Sequence, residues 1–201
     1  KYRIIYDFEY WAYSFIFIKD KVSPKDIPFK LNRAQRRVLN KLEKLRKAGK
    51  PIKFILLKAR QWGGSTLVQI YMLWIMLVHR RNWNTVICGD VETQSRNVRA
   101  MITKALNKYP SYLLGETVKF TPFEGSSKNK VIQNTNCVVS IGSFQKPDTL
   151  RSGDISGAHL TEIGLWRATP GKKPEDLIQS ISGSIYDTAY TILGLESTAK
   201  G

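Results

Sequence analysis

The stretch from Lys58 to Thr66, KARQWGGST, constrains this chain most, because it joins two apolar runs of different length. Upstream, Phe54 to Leu57 (FILL) is short enough for a buried strand. Downstream, Leu67 to Val78 (LVQIYMLWIMLV) is long enough for a buried helix and too short to span a bilayer. A strand that turns through adjacent glycines into a helix gathers backbone N–H groups around one concave turn. Such a turn suits an anion, since glycines allow close approach and the helix N-terminus lies behind it.

The residue types in this turn fit a nucleotide's phosphates. Gly63 and Gly64 permit the approach, and Ser65 or Thr66 can offer a hydroxyl to Mg²⁺. The usual phosphate-loop pattern places Gly six residues before a Lys that directly precedes Ser or Thr. Here Lys58 stands at the first Gly position and Gly64 at the Lys position. A lysine at the start of the loop can still reach back to the β- and γ-phosphates, with Arg60 as a second cation and Gln61 beside it. The competing reading is that the two glycines only turn a strand into a helix and the basic side chains are solvated.

A second segment, Ser156 to Trp166 (SGAHLTEIGLW), is a short apolar strand ending in an acidic residue. Opposite a phosphate loop, Glu162 would polarise an attacking water. The residue before it is commonly an Asp that holds the Mg²⁺ shell. Here it is Thr161, which can only hydrogen-bond a metal-bound water. Taken alone, this segment also reads as a strand leaving the core.

The remaining pattern alternates helices and strands. A helix is predicted over Asp7 to Lys19, then a connector through Pro24 and Pro28. A second helix starts at Asn32, a good N-cap, with Leu31, Ala34, Val38, Leu42 and Leu45 on its apolar face. Its other face carries Arg33, Arg36, Arg37, Lys41, Lys44 and Lys47, and Gly49 and Pro51 end it. Thr85 to Cys88 reads as a strand and Val91 to Tyr109 as a helix. Val131 to Ile132 and Cys137 to Ile141 read as an inserted hairpin, and Ser156 to Thr161 and Thr191 to Leu195 as two more core strands. This order predicts one α/β domain, a RecA-like layout with a mostly parallel central sheet and helices on both faces. Residues 1–30 form an N-terminal helical extension of it.

Charge narrows the partner. Lys and Arg total 32 against 16 Asp and Glu, a formal charge of +16, which favours a polyanion and binding that weakens with salt. A hydrophobic content of 42% excludes a disordered chain. Cys88 and Cys137 lie in apolar runs without metal or redox spacing, and His79 and His159 fit no ligand pattern, so no zinc site is expected. No signal-peptide pattern or membrane span is predicted, which fits a soluble intracellular protein.

Gln35 in FKLNRAQ, then KARQWGGST, then LRSGDISGAHLTEIGLW, then ESTAKG, in that order, resemble the ATPase signature of viral DNA-packaging terminase large subunits, which are P-loop NTPases. The resemblance covers roughly residues 28–201. It implies that Lys58 is an offset phosphate-loop lysine, and that Gln35 reads the adenine edge. Arg60, Gln61, Gly63, Gly64, Ser65 and Thr66 would complete the ATP site. Mg²⁺ would sit at Ser65, with Thr161 a weak second contact, and Glu162 would be the catalytic carboxylate. Arg151 is similar to an arginine finger acting on a neighbouring subunit's nucleotide, or else a loop arginine contacting solvent or DNA. Ser197 and Thr198 match the coupling motif that senses the γ-phosphate.

The implied partners are double-stranded DNA, the portal protein, the small terminase subunit and further copies in a ring, typically a pentamer. The implied place is the host cytoplasm, at the portal vertex of the procapsid. The nuclease domain that usually follows is absent here, so no DNA cleavage is expected of this chain. Two other functions compete. One is a helicase-like RecA ATPase, against which the offset Lys58 and the missing Asp at 161 argue. The other is a non-catalytic basic nucleic-acid-binding module, which Thr161 and Gly64 favour.

Overall fold

Alternating buried strands and helices assemble into a twisted central sheet in the computed structural model, which describes residues 2–20, 22–150 and 154–199. Two short helices, α1 (Tyr2–Tyr6) and α2 (Phe8–Phe15), precede a small antiparallel hairpin of β1 (Phe17–Lys19) and β2 (Asp26–Pro28). Then come α3 (Arg33–Lys47), β3 (Ile52–Lys58), α4 (Gly64–Trp74), β4 (Thr85–Gly89) and α5 (Glu92–Asn107). The second half holds β5 (Phe120–Phe123), β6 (Ser126–Ile132), β7 (Cys137–Ser143), β8 (Gly157–Thr161), α6 (Pro174–Gly183) and β9 (Ile192–Thr198).

The central sheet has seven strands in the order β3-β9-β8-β4-β7-β6-β5. Every pairing from β3 to β7 is parallel, and β6 and β5 extend the sheet antiparallel. The last strand in sequence, β9, therefore lies between the strand that enters the glycine loop and the strand that ends at Glu162. Its register sets Glu196 between Leu56 of β3 and Thr161 of β8, and Thr198 beside Lys58. Residues paired in this way point to the same face of the sheet. The carboxyl ends of these strands, where ligands of open α/β sheets bind, are thus brought to one edge.

Each face has its own core. On one, α2, α3, α4 and α5 bury Trp11, Leu42, Tyr71, Trp74 and Ile102 against Ile52, Ile87 and Val139. Every residue of α4 from Leu67 to Trp74 is buried, which is why this stretch is apolar on all sides except at Gln69. It continues as one π-helical turn, Ile75–His79. On the other face, Leu177 and Ile181 of α6 and Trp166 cover Val86, Cys88, Ala158 and Leu160. Cys88 and Cys137 are buried free thiols, and burial pushes the Cys88 thiol up to about 12. No helix among the described residues is long and apolar enough to cross a membrane.

Four local expectations need correction. The predicted helix over residues 7–19 stops at Phe15, because Phe17–Lys19 pairs with Asp26–Pro28 as a strand. The buried face of α3 is rotated: Gln35, Leu39, Leu42 and Arg46 turn inward, while Ala34 is exposed. Arg46 tolerates burial because Glu43 receives its guanidinium at 2.7 and 2.8 Å and the Trp74 ring lies under it. The expected inserted hairpin is part of the central sheet, since β7 pairs with β4. Finally, the last strand runs on to Thr198, which carries Glu196, Ser197 and Thr198 into the sheet.

Candidate active site

The glycine loop is set from behind by the N-terminus of α3. Asn32 caps that helix by accepting from the Gln35 N–H at 2.9 Å, and the Gln35 side chain accepts from the Asn32 N–H at 2.9 Å. The same two side chains then reach the loop: Asn32 Nδ2 donates to the Trp62 carbonyl at 3.0 Å, and Gln35 Nε2 to the Gly63 carbonyl at 2.9 Å. Gly63 has a left-handed backbone, φ 84°, and a Cβ there would stand 2.7 Å from Gln35 Nε2. A Cβ at Gly64 would meet the Trp62 ring at 2.7 Å and Lys58 Cδ at 3.3 Å. The Trp62 ring, with the Lys58 stem beside it, thus fills the space next to residue 64 and leaves no room there for the usual lysine.

Lys58 is nearly buried and bridges two carboxylates. Its Nζ donates to Glu162 Oε1 at 2.9 Å and lies 3.0 Å from Glu196 Oε1. Burial pushes the ammonium's pKa down, but the two carboxylates outweigh it and raise it, so Lys58 stays charged. Glu162 sits just past β8 with a left-handed backbone, φ 56°, a strain that non-glycine residues adopt mainly where the surroundings enforce it. Its Oε2 accepts from the Thr198 hydroxyl at 2.7 Å and the Thr198 N–H at 3.2 Å. Burial raises its pKa, and Thr198 and Lys58 more than offset that, holding the carboxylate ionised. Ser197 Oγ accepts from the Gly164 N–H at 3.1 Å, tying β9 to the turn after Glu162.

Glu196 is the most buried charge in the site, at 0% exposure. Besides Lys58 it accepts a short hydrogen bond from the Ser65 hydroxyl, and its Oε2 lies 3.0 Å from His159 Nε2. Burial pushes its carboxyl up, but His159, Ser65 and Lys58 outweigh burial and hold it at about 2. Two clefts flank Glu162. One of about 260 Å³ is lined by Ser65, Thr66, Gln69, Gln94, Thr161 and Glu162. The other, about 300 Å³, is lined by Lys58, Arg60, Gln61, Gln94, Glu162 and Thr198. A further cleft, about 640 Å³, adjoins the second through Leu165 and carries Arg167 and Lys172.

The expected site residues therefore converge, except that Gln35 lies behind the loop and Arg151 lies outside the described residues. Glu196, His159 and Gln94 were not expected. A Glu inside the alternating strand pattern ILGLEST was the available signal for Glu196, since a fully buried Glu occurs almost only when paired.

No protein-family model and no curated protein matches the sequence. Among solved structures, the large terminase of bacteriophage HK97 superposes over 98% of this chain with a TM-score of 0.71 and 21% identity. The fold is that of a large terminase ATPase domain. The ATPase domain of the Thermus phage P74-26 large terminase aligns over 86% of the chain, with a TM-score of 0.52 and 15% identity. An arginine-to-alanine variant of that domain gives 0.55 and 13% over the same share. The chain spans 37% of the HK97 terminase and 66–67% of the two P74-26 chains. At these identities the likeness is one of RecA-like architecture.

Proposed function

We propose that the chain is the ATPase motor domain of a viral terminase large subunit, which couples ATP hydrolysis to translocation of double-stranded DNA into a procapsid. The observation that carries this reading is the Lys58–Glu162 ion pair, which joins the start of the glycine loop to the acidic end of β8. A phosphate loop and a water-activating carboxylate serve each other across a phosphoryl group, and here both line one cleft of about 300 Å³.

ATP would lie with its phosphates over the loop, where the first N–H groups of α4 have no intrahelical acceptor. Lys58 then exchanges its carboxylates for β- and γ-phosphate oxygens, and exposed Arg60 adds a second cation. That exchange frees Oε1 of Glu162 to accept a hydrogen bond from the attacking water. Thr198 keeps hold of Oε2, so the carboxylate is oriented by the residue expected to couple hydrolysis to movement. Ser197 passes the same displacement to the turn at Gly164.

The fold's usual cation, Mg²⁺, fits Ser65: the side chain lines the cleft and gives its hydrogen to a carboxylate, which leaves lone pairs for a hard ion. Thr161, in the same cleft, can add only a hydrogen bond. When bound, Mg²⁺ supplies positive charge against the phosphoryl oxygens. We place Gln35 as the clamp of the loop, and reading an adenine edge would require its bond to Gly63 to open. Arg151 is assigned as the finger toward a neighbouring subunit.

The exposed basic face of α3, with Arg33, Arg37, Lys41, Lys44 and Lys47, is a candidate grip on DNA phosphates, and such contacts suit a motor that moves any sequence. Lys128 and Lys130 on β6 form a second candidate grip. The portal protein, the small subunit and a ring of copies, of pentameric form, complete the assembly at the portal vertex in the host cytoplasm.

Phosphate release from ATP, measured with and without duplex DNA of random sequence, tests this reading. Expected is turnover that DNA stimulates and that Glu162→Gln lowers by about 100-fold or more, the usual share of a general base. Turnover unchanged in Glu162→Gln would contradict it.

A further inference from the structure

We propose that Glu196 is the carboxylate that holds the Mg²⁺-binding hydroxyl of Ser65 in place, doing from β9 the work that Thr161 cannot do from β8. This rests on the ATPase reading above. A metal shell beside a phosphate loop needs a fixed acceptor on the loop's hydroxyl, because a hydroxyl that gives away its hydrogen presents lone pairs to the ion. At the expected position stands Thr161, whose side chain carries no charge and cannot serve as an anion.

Register supplies the replacement. Thr161 and Glu196 are paired across β8 and β9, so Glu196 projects from the same face, one strand nearer the loop. From there it reaches Ser65 on the first turn of α4.

A counter-charge for Lys58 is the simpler explanation of a buried Glu, and the contacts argue for more. Lys58 already has Glu162 at 2.9 Å, the more solvated of its two carboxylates. A second, fully buried carboxylate adds desolvation that this pairing alone does not require. Glu196 also has its own fixed partner: His159, at 0% exposure, points Nε2 at Oε2, while His159 Nδ1 has no hydrogen-bond partner among the described residues. The single hydrogen bond of that imidazole is therefore directed at fixing Glu196.

The arrangement divides the two carboxylates by task. When phosphates draw Lys58 away, Glu162 is released on one oxygen, whereas Glu196 still holds Ser65 and His159. One acid is freed for water, and the other keeps the metal-binding hydroxyl aimed. Glu196 is thus a positioning residue acting through Ser65.

The test is the ratio of ATP affinities with Mg²⁺ and with EDTA, measured by equilibrium binding of a fluorescent ATP analogue to wild type, Glu196→Gln, Ser65→Ala and the double variant. Expected is a wild-type ratio well above one that falls about 10- to 100-fold in Glu196→Gln, as for lost outer-shell support. Metal-free affinity should not fall in that variant, because Lys58 loses only a carboxylate that competes with the phosphates, so the lost ratio reports the metal. Ser65→Ala should lose the same increment, and the double variant should lose no more. A Glu196→Gln protein that keeps the wild-type ratio overturns the proposal and leaves Glu196 as counter-charge only. A wild type that binds ATP equally with and without Mg²⁺ overturns it too. Should Glu196→Gln fail to fold, Glu196→Asp decides, because it keeps the charge but withdraws it from Ser65: a lost increment supports the proposal, a retained one overturns it. No ATP binding by wild type in either condition is a different failure, that of the ATPase reading itself.

Discussion

Replacing Lys58 by Ala should destabilise the fold in the absence of any nucleotide, because this lysine neutralises a buried acid as well as awaiting phosphates. Its side chain is 7% exposed, and its partners Glu196 and Glu162 are 0% and 16% exposed. Removing one member of a buried pair costs about 3–5 kcal/mol, mostly through the charge left behind. Here the charges left behind are partly served: Glu196 keeps Ser65 and His159, and Glu162 keeps Thr198. The loss should therefore fall at or below the low end, about 2–3 kcal/mol. For a domain near 200 residues that lowers Tm by about 4–12 °C.

Urea unfolding followed by tryptophan fluorescence measures this, with two controls. Lys58→Met keeps the stem beside Gly64 and should lose nearly as much, which assigns the loss to charge. Lys53→Ala removes a surface pair to Asp187, with side chains 50% and 66% exposed, and should change stability by less than about 0.5 kcal/mol. Combining Lys58→Ala with Glu196→Gln should recover part of the loss, since the uncompensated charge is gone. If Lys58→Ala were as stable as Lys53→Ala, the buried bridge would not exist in solution.

Two further outcomes follow from individual residues. His79, half-buried against Trp74 and near Arg46, is pushed down to about 4 from 6.5 by burial, then by Arg46. Its unfolded form therefore binds more protons between these values, so stability is full above pH 6.5 and falls as pH drops toward 4. Between pH 7 and pH 5 the loss should be about 1–2 kcal/mol after allowance for partial exposure. His79→Phe should flatten that slope, and an unchanged slope in equilibrium unfolding would refute the assignment. Gly63→Ala should weaken ATP binding far more than Gly115→Ala. Both glycines are left-handed, at φ 84° and 81°, but only at Gly63 would a Cβ strike Gln35 and open the loop clamp. Equal affinities by equilibrium binding would show that the clamp does not set the loop.

What could be read from residues in advance was local chemistry. The glycine turn between a strand and a buried helix, the Asn32 cap and the strand ending at Glu162 each announce themselves within a few neighbours, whereas the hydroxyls at 197 and 198 entered only through the resemblance. Contacts between distant residues do not. Ser65 and Glu196 are 131 positions apart and meet only because β9 enters between β3 and β8. Nothing in ILGLEST alone states that register. The polar strand Ser126–Ile132 escaped in part because SSKNKVI lacks clean alternation, and Phe17–Lys19 because a short apolar run is compatible with helix or strand. Gln35 entered only through the resemblance, and its amide faces the Asn32 N–H and the Gly63 carbonyl, a geometry that spacing does not encode.

The central claim is that an offset lysine and a distant carboxylate form a nucleotide site, and thermal stabilisation by Mg-ATP tests it most directly. At about 100 times its dissociation constant a ligand stabilises the folded state by roughly 2.7 kcal/mol. Each variant is compared with its own nucleotide-free form. Wild type and Glu162→Gln should both shift upward, and Lys58→Ala should not. No shift of wild type at millimolar nucleotide, or an equal shift in Lys58→Ala, would contradict the account.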